Sequence, residues 1–154
     1  MSIERRLEEL GIALPAPRAP AFSYVPVAVQ GGLAWVSGQL PWGPDGVLSR
    51  GKLGADASVE DGKRAARLCV LNGLSVLKEA IGSLDRVERI VKVVGFVTSA
   101  SGFVEQPAVV DGASALFGEI FGEAGRHARS AVGVAELPRG APVEIEFVVA
   151  VRSG

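Results

Sequence analysis

Apolar and charged residues alternate along 143–147 and apolar residues continue to 151. A β-strand is the element that places alternate residues on opposite faces. The apolar members would face a core, and they are Val143, Ile145, Phe147, Val149 and Val151. Glu144 and Glu146 would face the other way. A second β-rich run, 128–134, precedes a Pro/Gly turn and contains Arg129. The pattern predicts two strands. The Arg129 guanidinium on one and the glutamate carboxylates on the other would project near one another, where they would hold the carboxylate of a small ligand beside a water.

Three other segments have apolar residues at helical spacing, and they are 2–10, 58–81 and 103–121. Ser58 can cap the longest of these helices, and Asp61 follows three residues later as in a capping box. Pro107 falls in the first turn of the third helix, where proline is favoured. The stretch between the first two helices begins with three prolines within 13–21, which predicts an extended connector.

Several β-rich runs predict further strands, at 22–30, 33–40, near 47–48, and at 87–98. The first two are separated by Gly31-Gly32, which is a strong hairpin signal. Strands and helices together predict the α+β class, with one mixed, mostly antiparallel sheet and two long helices on one face. We expect one domain over residues 1–154, in which 1–21 form an N-terminal helix and the Pro-rich connector.

A sheet covered by helices on one face leaves its other face bare. Two helices cannot bury all the strand valines. Six of these valines are Val27, Val29, Val36, Val132, Val134 and Val148. A bare apolar face of this size argues for packing between subunits, so the sequence predicts an oligomer.

Charge and composition disfavour two classes of function. The formal net charge is −1 and the pI is about 5.9, whereas proteins that bind nucleic acid through broad electrostatics are usually basic. No apolar run approaches the roughly 18 residues of a membrane span, and the N-terminus resembles no secretory signal. The single cysteine, Cys69, lies within the apolar stripe of a helix and forms no intrachain disulfide. These features predict a cytoplasmic protein.

An arginine and a pair of glutamates could bind a ligand or take part in catalysis. Arg129 offers a guanidinium fork that can bind a carboxylate through two parallel hydrogen bonds, but an ordinary strand arginine paired with glutamate is the commoner case. One of Glu144 and Glu146 could orient or deprotonate a water, although solvated surface glutamates are again commoner. Their shared strand face indicates that at most one of them is catalytic.

Four further residues have both a functional and a structural interpretation. Ser37 and the N–H of Gly38 could donate to an oxygen ligand, or could simply end a strand. Tyr24 could line a small pocket, although half-buried packing is favoured. His127 is the only histidine, and one His with one Cys cannot supply a metal site, so a structural role is expected. Glycine spacing provides no phosphate-binding loop.

Three motifs surround these residues. The longest is Arg-Ser-x-Val-x-Val-x-x-Leu-Pro-x-Gly-Ala-x-Val-Glu-Ile-Glu at 129–146. The others are Val-Ser-Gly-Gln-Leu-Pro at 36–41 and the Tyr-Val pair at 24–25. Together they closely resemble the signature of the Rid family, known also as YjgF/UK114 and "endoribonuclease L-PSP", and the longest motif carries most of that resemblance. The resemblance extends over 22–152.

The resemblance implies a chorismate-mutase-like α+β fold, a homotrimer with clefts between subunits, and no cofactor. It also implies hydrolysis of small reactive enamines and imines, such as 2-aminoacrylate, to keto acids and ammonia. Arg129 would hold the substrate carboxylate and Glu144 would position the attacking water. Tyr24 from a neighbouring subunit, Ser37 and the backbone of Gly38 would complete the pocket.

Three positions depart from the deaminase branch of that family, and one of them is His127, which stands two before Arg129 in place of a Pro or Ala-type residue. Ala131 stands where a cysteine is common, although its backbone can still contact a ligand. Asp111 aligns with an asparagine and adds negative charge near an anionic substrate. Three hypotheses follow: an imine/enamine deaminase, a trimer that binds small carboxylates or keto acids without turnover, and, with least support, an endoribonuclease.

Overall fold

Three helices and seven strands lie within residues 2–154, which are the part of the chain that the computed structural model describes. The helices are α1 Ile3–Glu9, α2 Val59–Ile81 and α3 Gln106–Phe121. The strands are β1 Val27–Gln30, β2 Leu33–Gln39, β3 Trp42–Gly43, β4 Gly46–Val47, β5 Val87–Thr98, β6 Ala128–Val134 and β7 Val143–Val151. Short 3-10 turns lie at Leu84–Arg86, Gly122–Gly125 and Pro138–Gly140.

Five strands form one mixed sheet in the order β1-β2-β7-β5-β6, and β3 pairs with β4 in a separate two-stranded sheet. All pairs in the large sheet are antiparallel except β5 with β6, which run parallel. The two C-terminal strands therefore lie on either side of β5 and do not pair with each other. The mixed, mostly antiparallel α+β sheet that the sequence predicts is confirmed.

α2 and α3 cover one face of this sheet, and the core lies between the two layers. The inward residues of β7 are buried as the alternation predicts, and Cys69 of α2 is fully buried among them. The capping box at the start of α2 is present, with the Ser58 hydroxyl accepting from the Asp61 N–H and the Asp61 carboxylate accepting from the Ser58 N–H. Ser2 caps α1 in a similar way. No helix within residues 2–154 is both long enough and apolar enough to cross a bilayer.

Some element boundaries differ from the sequence prediction. β1 begins at Val27 because the residues before it bend, with the Tyr24 N–H donating to the Phe22 carbonyl. α3 begins at Gln106, three residues later than its periodicity indicates. In β5 the ladder shifts register between Ile90 and Lys92, so Ile90 is buried and Val91 is exposed.

The bare face of the sheet is apolar, but the valines that form it are only partly those predicted. Residues paired across a ladder project to the same side. Val36 pairs with the buried Phe147 and lies on the helix side, and Val27 and Val29 share that side. Val132, Val134 and Val148 lie on the bare face as predicted, and the side chains of Trp35, Val94 and Phe96 join them there. Trp35 is 53% exposed and Val132 is 43% exposed, so this face is apolar and open.

The crossing of α2 and α3 depends on one glycine. A Cβ at Gly112 would overlap the backbone carbonyl of Lys63 and lie 2.7 Å from its Cα, whereas a Cβ at Gly118 would meet nothing within 4 Å. We expect Gly112→Ala to lower the free energy of unfolding by about 2–3 kcal/mol, because the helix backbones must separate. Gly118→Ala is the matched control and should raise it by about 0.5–1 kcal/mol. Urea denaturation measures both, and equal effects would contradict this account of the crossing.

Candidate functional site

Glu144 approaches the backbone of β2 at a glycine. A Cβ added to Gly38 would lie only 2.8 Å from the Cδ of Glu144, so a larger residue there would displace the carboxyl group. The approach occurs where the β2–β7 register shifts between Val36 and Gln39. Gly38 and Glu144, which the sequence analysis selected separately, are therefore direct neighbours.

The environment of Glu144 disfavours its charged form. Partial burial is the main cause and raises the pKa of the carboxyl group above its usual 4.5, and the nearby charge of Glu146 raises it further. Glu146 itself is exposed. A carboxyl group with a raised pKa is a better proton acceptor once ionised, which suits a general base.

Tyr24 and Ser37 lie beside this pair. Tyr24, Gly38 and Glu144 line one cleft of about 340 Å³. Ser37 lines the adjoining shallow depression on the bare face, which Tyr24 and Glu146 also border. The Ser37 hydroxyl donates to the carbonyl of Val25 at 2.7 Å, so its oxygen remains able to accept a hydrogen bond. Four of the predicted site residues thus come together within one copy of the chain.

Arg129 lies on the edge strand β6 and points toward α3. Its Nη1 donates to Asp111 Oδ1 at 2.6 Å and to Ser114 Oγ at 3.2 Å, and its Nη2 donates to the Pro107 carbonyl at 3.3 Å. A guanidinium group has five N–H donors. The three contacts found within residues 2–154 therefore leave two donors for a ligand. Ala131 follows on the same face of β6 and packs against the core.

His127 supports Arg129 through a serine. Its Nδ1 lies 2.7 Å from the Gly125 carbonyl and must donate, so we assign Nε2 as the acceptor from the Ser114 hydroxyl at 2.9 Å. The pKa of His127 is lowered, mainly because the ring is partly buried. The hydrogen bond to the Gly125 carbonyl raises the pKa, and the positive charge of Arg129 lowers it further. A neutral imidazole fits this arrangement, because protonation would make Nε2 compete with Arg129 as a donor to Ser114. The expected structural role of His127 is consistent with these contacts.

The structure places Arg129 and Glu144 on opposite faces of the sheet. Arg129 pairs with Val93, which pairs with the buried Phe147, so all three project to the helix side. Glu144 pairs with Phe96 and projects to the bare side. The expectation that the guanidinium and the carboxylates of one chain project near one another is therefore wrong. β5 separates their two strands, and strand alternation assigns the two side chains to different faces.

The cleft beside Glu144 is also lined by residues that sequence reasoning did not select. These residues include Arg18 from the connector, Trp42 from β3 and Arg139 from the turn before β7. Trp42 and Arg139 occupy the third position of two Leu-Pro-x-Gly sequences, at 40–43 and 137–140. That repeated tetrapeptide is a signal for two turns, but nothing in it shows that the turns meet.

Comparison with known proteins identifies the family. A family model described as "YjgF/chorismate_mutase-like, putative endoribonuclease" matches residues 4–143. The chain belongs to this YjgF family. The resemblance to Rid proteins is confirmed, since this is the same family and a solved structural neighbour is named as a Rid protein.

Similar proteins come from distant organisms. "Protein TCP17" of Trypanosoma cruzi is 49% identical over 148 residues, which cover 96% of this chain and 92% of that protein. Atu1372 of Agrobacterium tumefaciens, a protein described as having unknown function, is 44% identical with a TM-score of 0.89 over 99% of this chain and 93% of its own. TdcF of E. coli, solved with bound serine, is 29% identical with a TM-score of 0.60 over 90% of this chain and 93% of its own.

Proposed function

We propose that this protein hydrolyses small 2-imino acids and their enamine tautomers to keto acids and ammonia, in clefts formed between copies of the chain. The observation that carries the proposal is the half-buried Glu144. Its carboxyl group has a raised pKa, lies against Gly38 and shares a cleft with Tyr24. Membership of the YjgF family supports the same class of reaction.

The chemistry requires little beyond a base and an oriented substrate. The imine reacts in its protonated iminium form: Glu144 takes a proton from water as the oxygen forms a bond to the iminium carbon, which gives a neutral carbinolamine. Glu144 then returns this proton to the nitrogen, the C–N bond breaks, and ammonia leaves as the hydroxyl proton passes to Glu144 and the C=O bond forms. The released ammonia takes this proton and leaves Glu144 ionised again. Because the imine carbon is already electrophilic, positioning can supply much of the acceleration.

Arg129 is the proposed clamp for the substrate carboxylate. Two of its donors have no partner within residues 2–154, and a fork of donors matches a carboxylate. Serine, the ligand of TdcF, is an amino acid and bears the same carboxylate group that the clamp would bind. The serine bound by TdcF therefore has the carboxylate group that the proposed substrates also have.

Assembly of the site requires a second copy of the chain, because Arg129 and Glu144 lie on opposite faces of one sheet. The open apolar face with Trp35 and Val132 offers the packing surface. We propose that copies pack by this face as a trimer, so that Arg129 of one copy meets Glu144 and Tyr24 of the next. Tyr24 and Glu144 then come from the same copy, and Arg129 from its neighbour.

Binding without turnover is the second candidate, and one contact favours it. Asp111 lies 2.6 Å from Arg129 and is 65% exposed, so a fixed carboxylate already occupies part of the clamp. It would weaken the attraction for an anionic substrate. Cleavage of RNA has less support, because both ring nitrogens of His127 bond within the protein and the net charge is −1.

An assay on the wild-type protein tests the proposal. 2-Aminoacrylate and larger imino acids are generated in the cuvette by a lyase or an amino-acid oxidase, and keto-acid formation is followed with and without the protein. We expect faster hydrolysis when the protein is present, and light scattering should report a trimer. Unchanged hydrolysis combined with binding of 2-oxo acids would favour the second candidate and overturn the first.

A further inference from the structure

The cleft beside Glu144 has a cationic wall that the proposed hydrolysis does not use. The Cζ of Arg18 lies 4.0 Å from the centroid of the Trp42 ring, and the Cζ of Arg139 lies 5.8 Å from it. Both distances fall within the roughly 6 Å range of cation–π contacts. Two arginines from remote segments of the chain therefore meet on one indole.

Neither arginine of this wall is neutralised. Within residues 2–154, no carboxylate lies at ion-pair distance from Arg18 or Arg139, although nine other ion pairs are present. Among the described residues that line the cleft, Glu144 is the one acidic residue, so the two arginines outnumber the carboxylates there. A guanidinium stacked on a ring keeps in-plane N–H donors available for an oxyanion.

The wall is held in place by the surrounding backbone. The side chain of the buried Asn72 in α2 donates to the carbonyls of Leu40 and Trp42, at 3.1 and 3.2 Å. Arg139 has a φ of +63°, a left-handed conformation that is uncommon for a residue other than glycine. Such strain persists where the neighbouring structure fixes it and clusters at ligand sites. The Ser75 hydroxyl of α2 donates to the Pro15 carbonyl and ties down the connector that contains Arg18.

The size of the cleft exceeds the need of a three-carbon substrate. Its 340 Å³ equals the liquid volume of roughly ten waters. A three-carbon imino acid has one carboxylate, which Arg129 would bind, and has no group to reach two more arginines. A ligand that used the whole cleft would have a second anionic end.

We propose that Arg18 and Arg139 bind a second carboxylate, so that this protein prefers imino acids derived from acidic, dicarboxylate amino acids. The inference deepens the proposed function and rests on it for the position of the reacting carbon beside Glu144. The chemistry recognised is an oxyanion on a short chain. We commit to a carboxylate because the substrate class is derived from amino acids, and a phosphate is the alternative that the test separates.

Calorimetric titration of the full chain with two stable keto acids tests the proposal. 2-Oxoglutarate and 2-oxopentanoate have the same five-carbon length and differ in the terminal carboxylate. We expect 2-oxoglutarate to bind at least about 10-fold more tightly to the wild type, because charge-assisted bidentate contacts are the strong ones. The double variant Arg18→Gln/Arg139→Gln should reduce this preference to about 2-fold or less. Arg5→Gln, which alters an exposed arginine of α1, should leave it unchanged.

Three results would overturn the inference. Equal binding of the two keto acids would remove the second carboxylate site and leave the proposed hydrolysis intact. Displacement of 2-oxoglutarate by inorganic phosphate at lower concentrations than by glutarate would replace carboxylate with phosphate as the group recognised. Failure of both keto acids to bind would overturn the inference together with the proposed function. Circular dichroism of the double variant verifies that it is folded.

Discussion

The Arg129→Ala variant is expected to lose at least about 100-fold in kcat/KM for the hydrolysis of 2-aminoacrylate, because two charge-assisted hydrogen bonds to the substrate carboxylate disappear. Both the binding and the orientation of the substrate depend on that fork. The measurement is the coupled keto-acid assay at several concentrations of the imine. A loss seen mainly as a higher KM would indicate a clamp that holds ground state and transition state equally.

Arg126 provides the matched control for this prediction. It lies three residues before Arg129 and is exposed, and within residues 2–154 its side chain makes one ion pair, at 3.7 Å with Glu123. Arg126→Ala should change kcat/KM by less than about 2-fold, since exposed ion pairs contribute little. Equal losses in both variants would show that general positive charge matters rather than a specific clamp, and full activity of Arg129→Ala would remove the clamp altogether.

Replacing Glu144 by glutamine is expected to lower kcat by about 10³-fold, because the amide cannot accept the proton of the attacking water. Glutamine has nearly the same shape, so it should fit against Gly38 and change KM little. In the wild type, kcat/KM should fall as pH decreases through the pKa of Glu144, which is raised above 4.5, since protonation removes the base. The variant should lack this acid limb.

Glu146→Gln is the control for the role of Glu144. The charge of Glu146 raises the pKa of its neighbour, so its removal should lower that pKa and move the acid limb to lower pH. On the plateau above the acid limb, kcat should stay within about 2-fold of the wild type, because the base is ionised there in both proteins. A pH profile that does not move, or a large loss of kcat in Glu146→Gln, would contradict the assignment of Glu144 as the base.

Local patterns in the sequence predicted most elements of the fold. The alternation along β7 depends only on residues two apart, and the capping box at Ser58 depends only on residues three apart. Both were therefore readable without knowledge of the fold. The start of β1 was misplaced because the β-rich composition before Val27 continues through a bend. Composition alone does not report where a ladder begins.

Non-local geometry explains what the sequence could not predict. The face on which Arg129 projects depends on β5, which lies 31 or more residues earlier and separates β6 from β7. The contact of Arg18 and Arg139 with Trp42 joins three segments that have no shared periodicity. The grouping of Tyr24, Gly38 and Glu144 matches the residues that motif resemblance selected, because those motifs lie at one end of paired strands.

The position of β7 in the sheet has a consequence for synthesis on the ribosome. β7 follows every other strand along the chain, yet it lies at the centre of the sheet between β2 and β5. Until it emerges, the β1–β2 hairpin and the β5–β6 pair remain unjoined, and each has an open strand edge. Exposed edges of this kind are prone to pair with other chains. The nascent protein therefore passes through a stage in which its two half-sheets need protection, and that stage ends only when the stretch containing Glu144 has been made.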